Sequence, residues 1–189
     1  MRKIILSMQM SLDGFIEGPN GAMDWFPRDN DEQWEDLFNL LRSADTFLLG
    51  RAMYPAYSNY WRSVLTNQSA PKNEIKYARI AEKTQHIVFS KTMEKADWEN
   101  TRIAKDISEE IYNLKQQPGK DIIVWGGATL ASALINLGLI DEYRLLVNPV
   151  LLGSGKSLFK DLKDGHRLKL IKIKTFKSEV ILLNYSSIK

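Results

Sequence analysis

The run Ile122-Ile123-Val124-Trp125, followed directly by Gly126-Gly127-Ala128-Thr129-Leu130, constrains this chain more than any other stretch. Four apolar residues end at a pair of glycines, and Leu130, Leu134 and Leu137 then recur at helical spacing until Gly138. That pattern predicts strand, tight turn and helix. The glycines let the backbone approach a ligand without interference from Cβ, and the first helical turn presents unpaired N–H groups at the positive end of the helix dipole. A phosphate suits such a place. A connection in which the glycines serve only the turn explains the same residues equally well.

The rest of the chain repeats the strand-to-helix alternation. Lys3 to Met8 reads as a buried strand, and a long segment from Ser11 to Trp25 follows, holding three glycines, a proline and scattered apolar residues. Asp29, Asn30 and Asp31 are candidate N-caps for a helix whose apolar face is Trp34, Leu37, Phe38 and Leu41. Thr46 to Leu49 is a second strand that runs into Gly50-Arg51, with a helix over Tyr54 to Leu65 and another over Glu74 to Lys83. His86 to Phe89 is a third strand ending in Ser90-Lys91-Thr92, and Asp106 with Glu109 opens a helix that carries Ile107, Ile111 and Leu114. Tyr143 to Val147 is a further strand. Leu168 to Lys174 and Val180 to Ser186 form a closing hairpin, whose slipped alternation predicts a β-bulge between Leu170 and Ile171.

Strands that alternate with helices and finish in a hairpin predict an α/β fold, with a mostly parallel central sheet and helices on both faces. Ligands of such sheets sit at the carboxyl ends of the strands. Four features fall at that edge: the loop after the first strand, Gly50-Arg51, Ser90-Lys91 and Gly126-Gly127.

Composition removes several alternatives. The 189 residues are expected to fold as one domain, and with no cysteine there is no disulfide, thiolate metal site or cysteine nucleophile. The histidines, His86 and His166, are far apart, so no metal site is expected. The net charge of +3 comes with late lysines that lack interleaved aromatics, which favours small anionic ligands over nucleic acid. The opening apolar run is too short for a secretion signal and no stretch reaches transmembrane length, so a cytoplasmic protein is expected, without a membrane partner. Gly155-Lys156-Ser157 is not a nucleotide-triphosphate loop, because Val150 stands where the motif requires its first glycine.

Five segments, Ser11-Leu12-Asp13-Gly14, Leu49-Gly50-Arg51, Phe89-Ser90-Lys91, Gly126 to Leu130, and Pro149 with Leu152-Gly153 to Phe159, stand in an order that resembles the dihydrofolate reductase-like superfamily. Within it, the chain is most similar to stand-alone bacterial proteins that resemble the reductase domain of bifunctional riboflavin biosynthesis enzymes. The resemblance implies NADPH along the strand tips. Gly126, Gly127, Ala128, Thr129 and Leu130 would hold the pyrophosphate, and Gly50, Arg51, Ser90 and Lys91 would lie near the adenosine 2′-phosphate. It also implies an active-site loop from Asp13 to Trp25, with Asp13 and Ile16 among the catalytic residues. Met23, Trp25, Trp34 and Lys156 would face a small-molecule substrate. Related proteins often pair as homodimers, and the aliphatic C-terminal strands would supply the interface.

Two positions depart from the pattern. Met53 stands where the family often has a threonine near the phosphate, and Trp34 stands where dihydrofolate reductases carry a helix acid. Glu35 is the neighbouring carboxylate and the candidate acid, turned about a third of a helical turn away. The reading is therefore an NADPH-dependent reductase of a small heterocyclic or ribosylamine-type substrate. The alternative is a non-enzymatic nucleotide-binding or scaffold protein that retains the fold. A Rossmann-type dehydrogenase is disfavoured, since no G-x-G-x-x-G opens the first strand-helix unit.

Overall fold

The computed structural model describes residues 1–26 and 30–188. The strands are β1 (Ile4–Ser11), β2 (Phe15–Glu17), β3 (Ala44–Gly50), β4 (Gln85–Phe89), β5 (Thr101–Ala104), β6 (Asp121–Gly126), β7 (Glu142–Asn148), β8 (Lys156–Ser157), β9 (Leu168–Thr175) and β10 (Ile181–Ser187). The helices are α1 (Asp31–Arg42), α2 (Tyr54–Thr66), α3 (Lys72–Lys83), α4 (Ile107–Gln116) and α5 (Ala128–Asn136). Each predicted strand and helix is present. Three short strands, β2, β5 and β8, are additional.

The main sheet has the order β5-β4-β3-β6-β1-β7-β10-β9. Every pair from β5 to β7 is parallel, and β10 and β9 close the sheet antiparallel. Parallel strands covered on both faces read as continuous apolar runs. Ile122 and Val124 accordingly face a core with Ile111 and Leu114 of α4 and Leu130 and Leu134 of α5. Ile123 faces the opposite core, with Phe38 and Leu41 of α1, Tyr54 and Tyr57 of α2, and Tyr77 of α3. The hairpin register pairs Tyr185 with Leu170 and Asn184 with Lys172, so Ile171 is the extra residue and the bulge lies where the alternation slips.

Local chemistry sets the helix starts. Asn30 accepts a hydrogen bond from the Gln33 N–H at 3.0 Å and caps α1, while Asp31 is already inside the helix and Asp29 lies outside the described residues. Asp106 caps α4 through the Glu109 N–H at 2.8 Å. Among the described residues, no helix is long and apolar enough to cross a membrane.

The core beneath α2 and α3 contains a fully buried histidine. His86 lies stacked on Trp98 with ring centroids 4.8 Å apart, and its Nε2 is 3.3 Å from the Tyr57 hydroxyl. Burial pushes its pKa down from 6.5 to about 4. The unfolded chain thus binds more protons than the folded one between those values, so this term stabilises fully above pH 6.5 and is lost as the pH falls towards 4. Chemical denaturation at pH 7 and pH 4 should show wild type losing about 3 kcal/mol more than His86→Phe across that interval. Equal losses would mean that the histidine is not desolvated.

Candidate functional site

The carboxyl ends of β4, β3, β6 and β1 are neighbours in the sheet, so the four features read from the sequence do share one edge. At its centre the peptide between Gly126 and Gly127 is cis, and Gly126 has a φ of 103°. A Cβ on Gly126 would meet the Met8 thioether at 3.1 Å, and one on Gly50 would meet the Gly127 nitrogen at 3.2 Å. Close approach of backbone to backbone favours glycine at position 50, and the positive φ favours it at position 126. Gly127 differs, because nothing lies within 4 Å of where its Cβ would stand. It is the N-cap of α5 and no side chain caps the helix, so no capping side chain takes up the N–H groups of its first turn. This is the geometry that accepts a phosphate.

Cations flank this cradle on one side. Arg51 follows β3 and Lys91 stands just beyond β4, both exposed. Lys105 follows β5 and is also exposed, so three adjacent strand tips each carry a cation. Lys105 was not singled out from the sequence, because its short edge strand was not recognised; the signal would have been Thr101 to Ala104 read as a strand before the Asp106 cap. Ser90 is buried and its Oγ accepts hydrogen bonds from the N–H groups of Thr92 at 3.2 Å and Met93 at 2.9 Å. It holds the turn that presents Lys91 and keeps its own hydroxyl hydrogen to donate.

The first half of the long loop is fastened down. The Asp13 carboxylate accepts from the Ser11 hydroxyl at 2.6 Å and from the backbone N–H groups of Leu152 at 3.1 Å and Gly153 at 2.7 Å. The Ser11 hydroxyl and then the Gly153 and Leu152 amides hold its pKa below the usual carboxylate value. Asp13 is thus an exposed carboxylate whose hydrogen bonds join two loops. β2 and β8 pair antiparallel, and Lys156 forms an ion pair with Glu17 at 2.7 Å. Ile16 is 5% exposed and packs in the core on the α5 side of the sheet. Of the other loop residues named from the sequence, Met23 is exposed, whereas Trp25 is half-buried and its indole donates to the Ala22 carbonyl at 3.1 Å.

Helix α1 packs the apolar face its periodicity implies against the aromatic core and turns polar residues inward beside it. Trp34 stacks on Phe38 with ring centroids 5.7 Å apart and contributes to the core shared with α2 and α3. Glu35 is exposed. The inward acid is Asp36, ion-paired with the buried Arg144 of β7 and 3.7 Å from Lys174 of β9. Burial lowers the Arg144 pKa to about 10, which leaves the guanidinium charged at neutral pH. Gln33 is also inward and donates to the Ser178 hydroxyl at 2.7 Å, which ties α1 to the β9–β10 turn. Beside it lie Gln9 of β1 and Asn148 at the end of β7. Sequence reasoning missed this polar group, which assembles from four elements distant in the chain.

The geometry is that of the RibD C-terminal domain family, whose profile matches residues 2–182, and the chain belongs to that family. The Bacillus subtilis (strain 168) protein YyaP is 40% identical over 184 residues, covering 97% of this chain and 94% of its own. Among solved structures, a Shewanella sp. PV-4 protein assigned to riboflavin biosynthesis superposes with a TM-score of 0.78 at 20% identity, covering 100% of both chains. A Thermotoga maritima diaminohydroxyphosphoribosylaminopyrimidine deaminase/5-amino-6-(5-phosphoribosylamino)uracil reductase matches 99% of this chain and 57% of its own, with a TM-score of 0.65 at 16% identity. These likenesses show the fold: the riboflavin-pathway reductase-like α/β domain.

Replacing Asp13 by alanine should leave the main sheet intact and free the loop that carries Leu152 and Gly153. Hydrogen exchange of those two amides should accelerate by about tenfold or more, as expected when a charge-assisted hydrogen bond is removed. Unchanged exchange would show that other contacts hold the loop.

Proposed function

We propose that this protein is an NADPH-dependent reductase that delivers a hydride to a small heterocyclic or ribosylamine-type substrate. The observation that carries the proposal is the open space before Gly127 at the uncapped start of α5, in line with exposed Arg51, Lys91 and Lys105 on the next strand tips. A dinucleotide with an additional phosphate matches both parts. The N–H groups of Ala128, Thr129 and Leu130 would hold the pyrophosphate, with Gly126 and Gly50 allowing the approach. Arg51 and Lys91, with Lys105 beside them, would pair with the 2′-phosphate, and Ser90 would donate its hydroxyl. When bound, the nicotinamide supplies the hydride. The chain orients it at the β1 and β6 ends and covers it with the segment after β2, where Met23 and Trp25 stand.

Family membership supports a reductase, and the riboflavin-type reaction named for the Thermotoga maritima protein is the nearest precedent. Asp13 serves as a loop fastener in this proposal, and the substrate side is assigned to the inward face of α1. A homodimer is part of the same reading. Val147, Leu183, Tyr185, Ile173 and Leu170 share one face of β7, β10 and β9, where Ile173 and Leu170 are exposed, and a second copy would cover them.

Titration with NADPH, followed by nucleotide fluorescence, tests the cofactor. Saturable binding is expected, with NADH weaker. A Cβ at Gly127 meets no protein atom within 4 Å, so Gly127→Asp should fold normally while weakening NADPH by about 100-fold through charge repulsion and lost space. Arg51→Ala with Lys91→Ala should cost about 10- to 100-fold in NADPH affinity and leave NADH nearly unchanged. Absence of saturable binding to wild type would end the cofactor proposal. Unchanged binding in Gly127→Asp would remove it from this edge.

A further inference from the structure

We propose that Gln9, Gln33 and Asn148 form a carboxamide relay that reads the adjacent carbonyl and N–H of a neutral cyclic amide; the relay rests on the reductase reading only in being its substrate side. An asparagine or glutamine amide can be turned end for end, so its polarity has to follow from its partners. Here it does. The Asn148 Nδ2 is 3.2 Å from the carbonyl oxygens of both Met10 and Leu146, and a backbone carbonyl only accepts. That end of Asn148 is therefore the NH2 group. It also donates to Gln9 at 2.8 Å, which must present its Oε1.

The Gln9 amide is thereby oriented, and its Nε2 points away towards the Gln33 Oε1, 3.5 Å distant. At that separation the bond is weak, so the Gln9 N–H and the Gln33 carbonyl both keep capacity for a guest. Gln33 is held from behind by the Ser178 hydroxyl and its N-cap contact with Asn30. A donor beside an acceptor, on facing elements, complements the C=O and N–H of a ring amide.

Two further observations point the same way. Asn148 is 1% exposed and its Oδ1 has no partner among the described residues, an arrangement that is costly and that stability alone does not explain. The carboxylates around the relay are also engaged. Asp36 pairs with Arg144, Glu32 accepts from the Lys177 N–H at 3.0 Å and lies 3.4 Å from Lys174, and Glu35 is turned to solvent. A cationic amidine ring would find no free anion there. Gln9 is partly exposed near the end of β1, and Asn148 ends β7, so the relay opens at the same edge as the Gly126–Gly127 cradle on neighbouring β6.

The test uses two matched fragments, 4(3H)-quinazolinone, which carries the amide edge, and 4-aminoquinazoline, which reverses it. Binding of each to the full chain is measured by calorimetry and ligand-observed NMR, with and without NADPH. Wild type should prefer the quinazolinone by about tenfold or more, the worth of a hydrogen-bond pair at a desolvated site. Gln9→Glu keeps an oxygen for Asn148 but turns the outward donor into an acceptor, which leaves each fragment one matched and one clashing group, so the preference should be lost. Gln9→Leu should lose the quinazolinone without gaining the amine, while both variants retain the wild-type melting transition and NADPH affinity. A wild-type preference that survives in Gln9→Glu, or no preference in wild type, overturns the relay. Quinazolinone selectivity that Gln9→Glu abolishes in a protein unable to bind NADPH would keep the relay and refute the cofactor reading instead.

Discussion

The backbone of Gly50 runs so close to Gly126–Gly127 that a single added carbon would stand 3.2 Å from the Gly127 nitrogen. That approach aligns the ends of β3 and β6, which pair at Leu49 and Gly126, and brings the start of α5 to the edge of the sheet. Everything proposed for the site follows from it. With β3 and β6 fixed, β4 and β5 place Lys91 and Lys105 in sequence beside Arg51, and β1 and β7 place Gln9 and Asn148 on the other side.

The sheet face beneath α1 to α3 is divided along its width. Under α2 and α3 it is apolar and aromatic, with Phe47, Tyr57, Tyr77 and Trp98 buried together. Under the inner side of α1 it is polar, with Ser7, Arg144 and Asn148 buried and Asn184 opposite Arg144 in the next strand. A buried ion pair such as Asp36–Arg144 adds little net stability, since desolvation of both charges offsets their attraction, but removing one partner would strand the other. Its effect is to hold α1 in one register over β7. That register sets the facing positions of Gln33 and Gln9. The larger apolar cluster of this face lies on the aromatic side, and the chemistry proposed here lies on the polar side.

The sequence made the central strands legible because each is an uninterrupted apolar run: Ile122 to Val124, Phe47 to Leu49 and Ile87 to Phe89 are buried on both faces. The bulge at Ile171 was legible because lysines switch parity around it. The short strands β2, β5 and β8 were not, since two to four residues carry no period and form only when a partner strand is in place. In the candidate site, the glycine cradle and the strand-tip cations Arg51 and Lys91 were visible as motifs, whereas Lys105 was not. The inward polar side of α1 was not visible either. Its apolar residues point to the aromatic core, and nothing local marks Gln33 and Asp36 as facing inward, because their partners Gln9, Arg144 and Asn148 come from strands far away in the chain. Asp13 was visible as a polar residue in a motif, but its partners, the Leu152 and Gly153 amides, lie in a different loop and give it a fastening role.

The central claim is that the uncapped start of α5 beyond Gly126–Gly127 is a pyrophosphate cradle. A crystal structure of the protein soaked with NADPH tests it most directly. The account predicts pyrophosphate oxygens at hydrogen-bond distance from the N–H groups of Ala128 and Thr129, with the 2′-phosphate beside Arg51 and Lys91. A dinucleotide bound elsewhere, with the first turn of α5 facing only water, would contradict it.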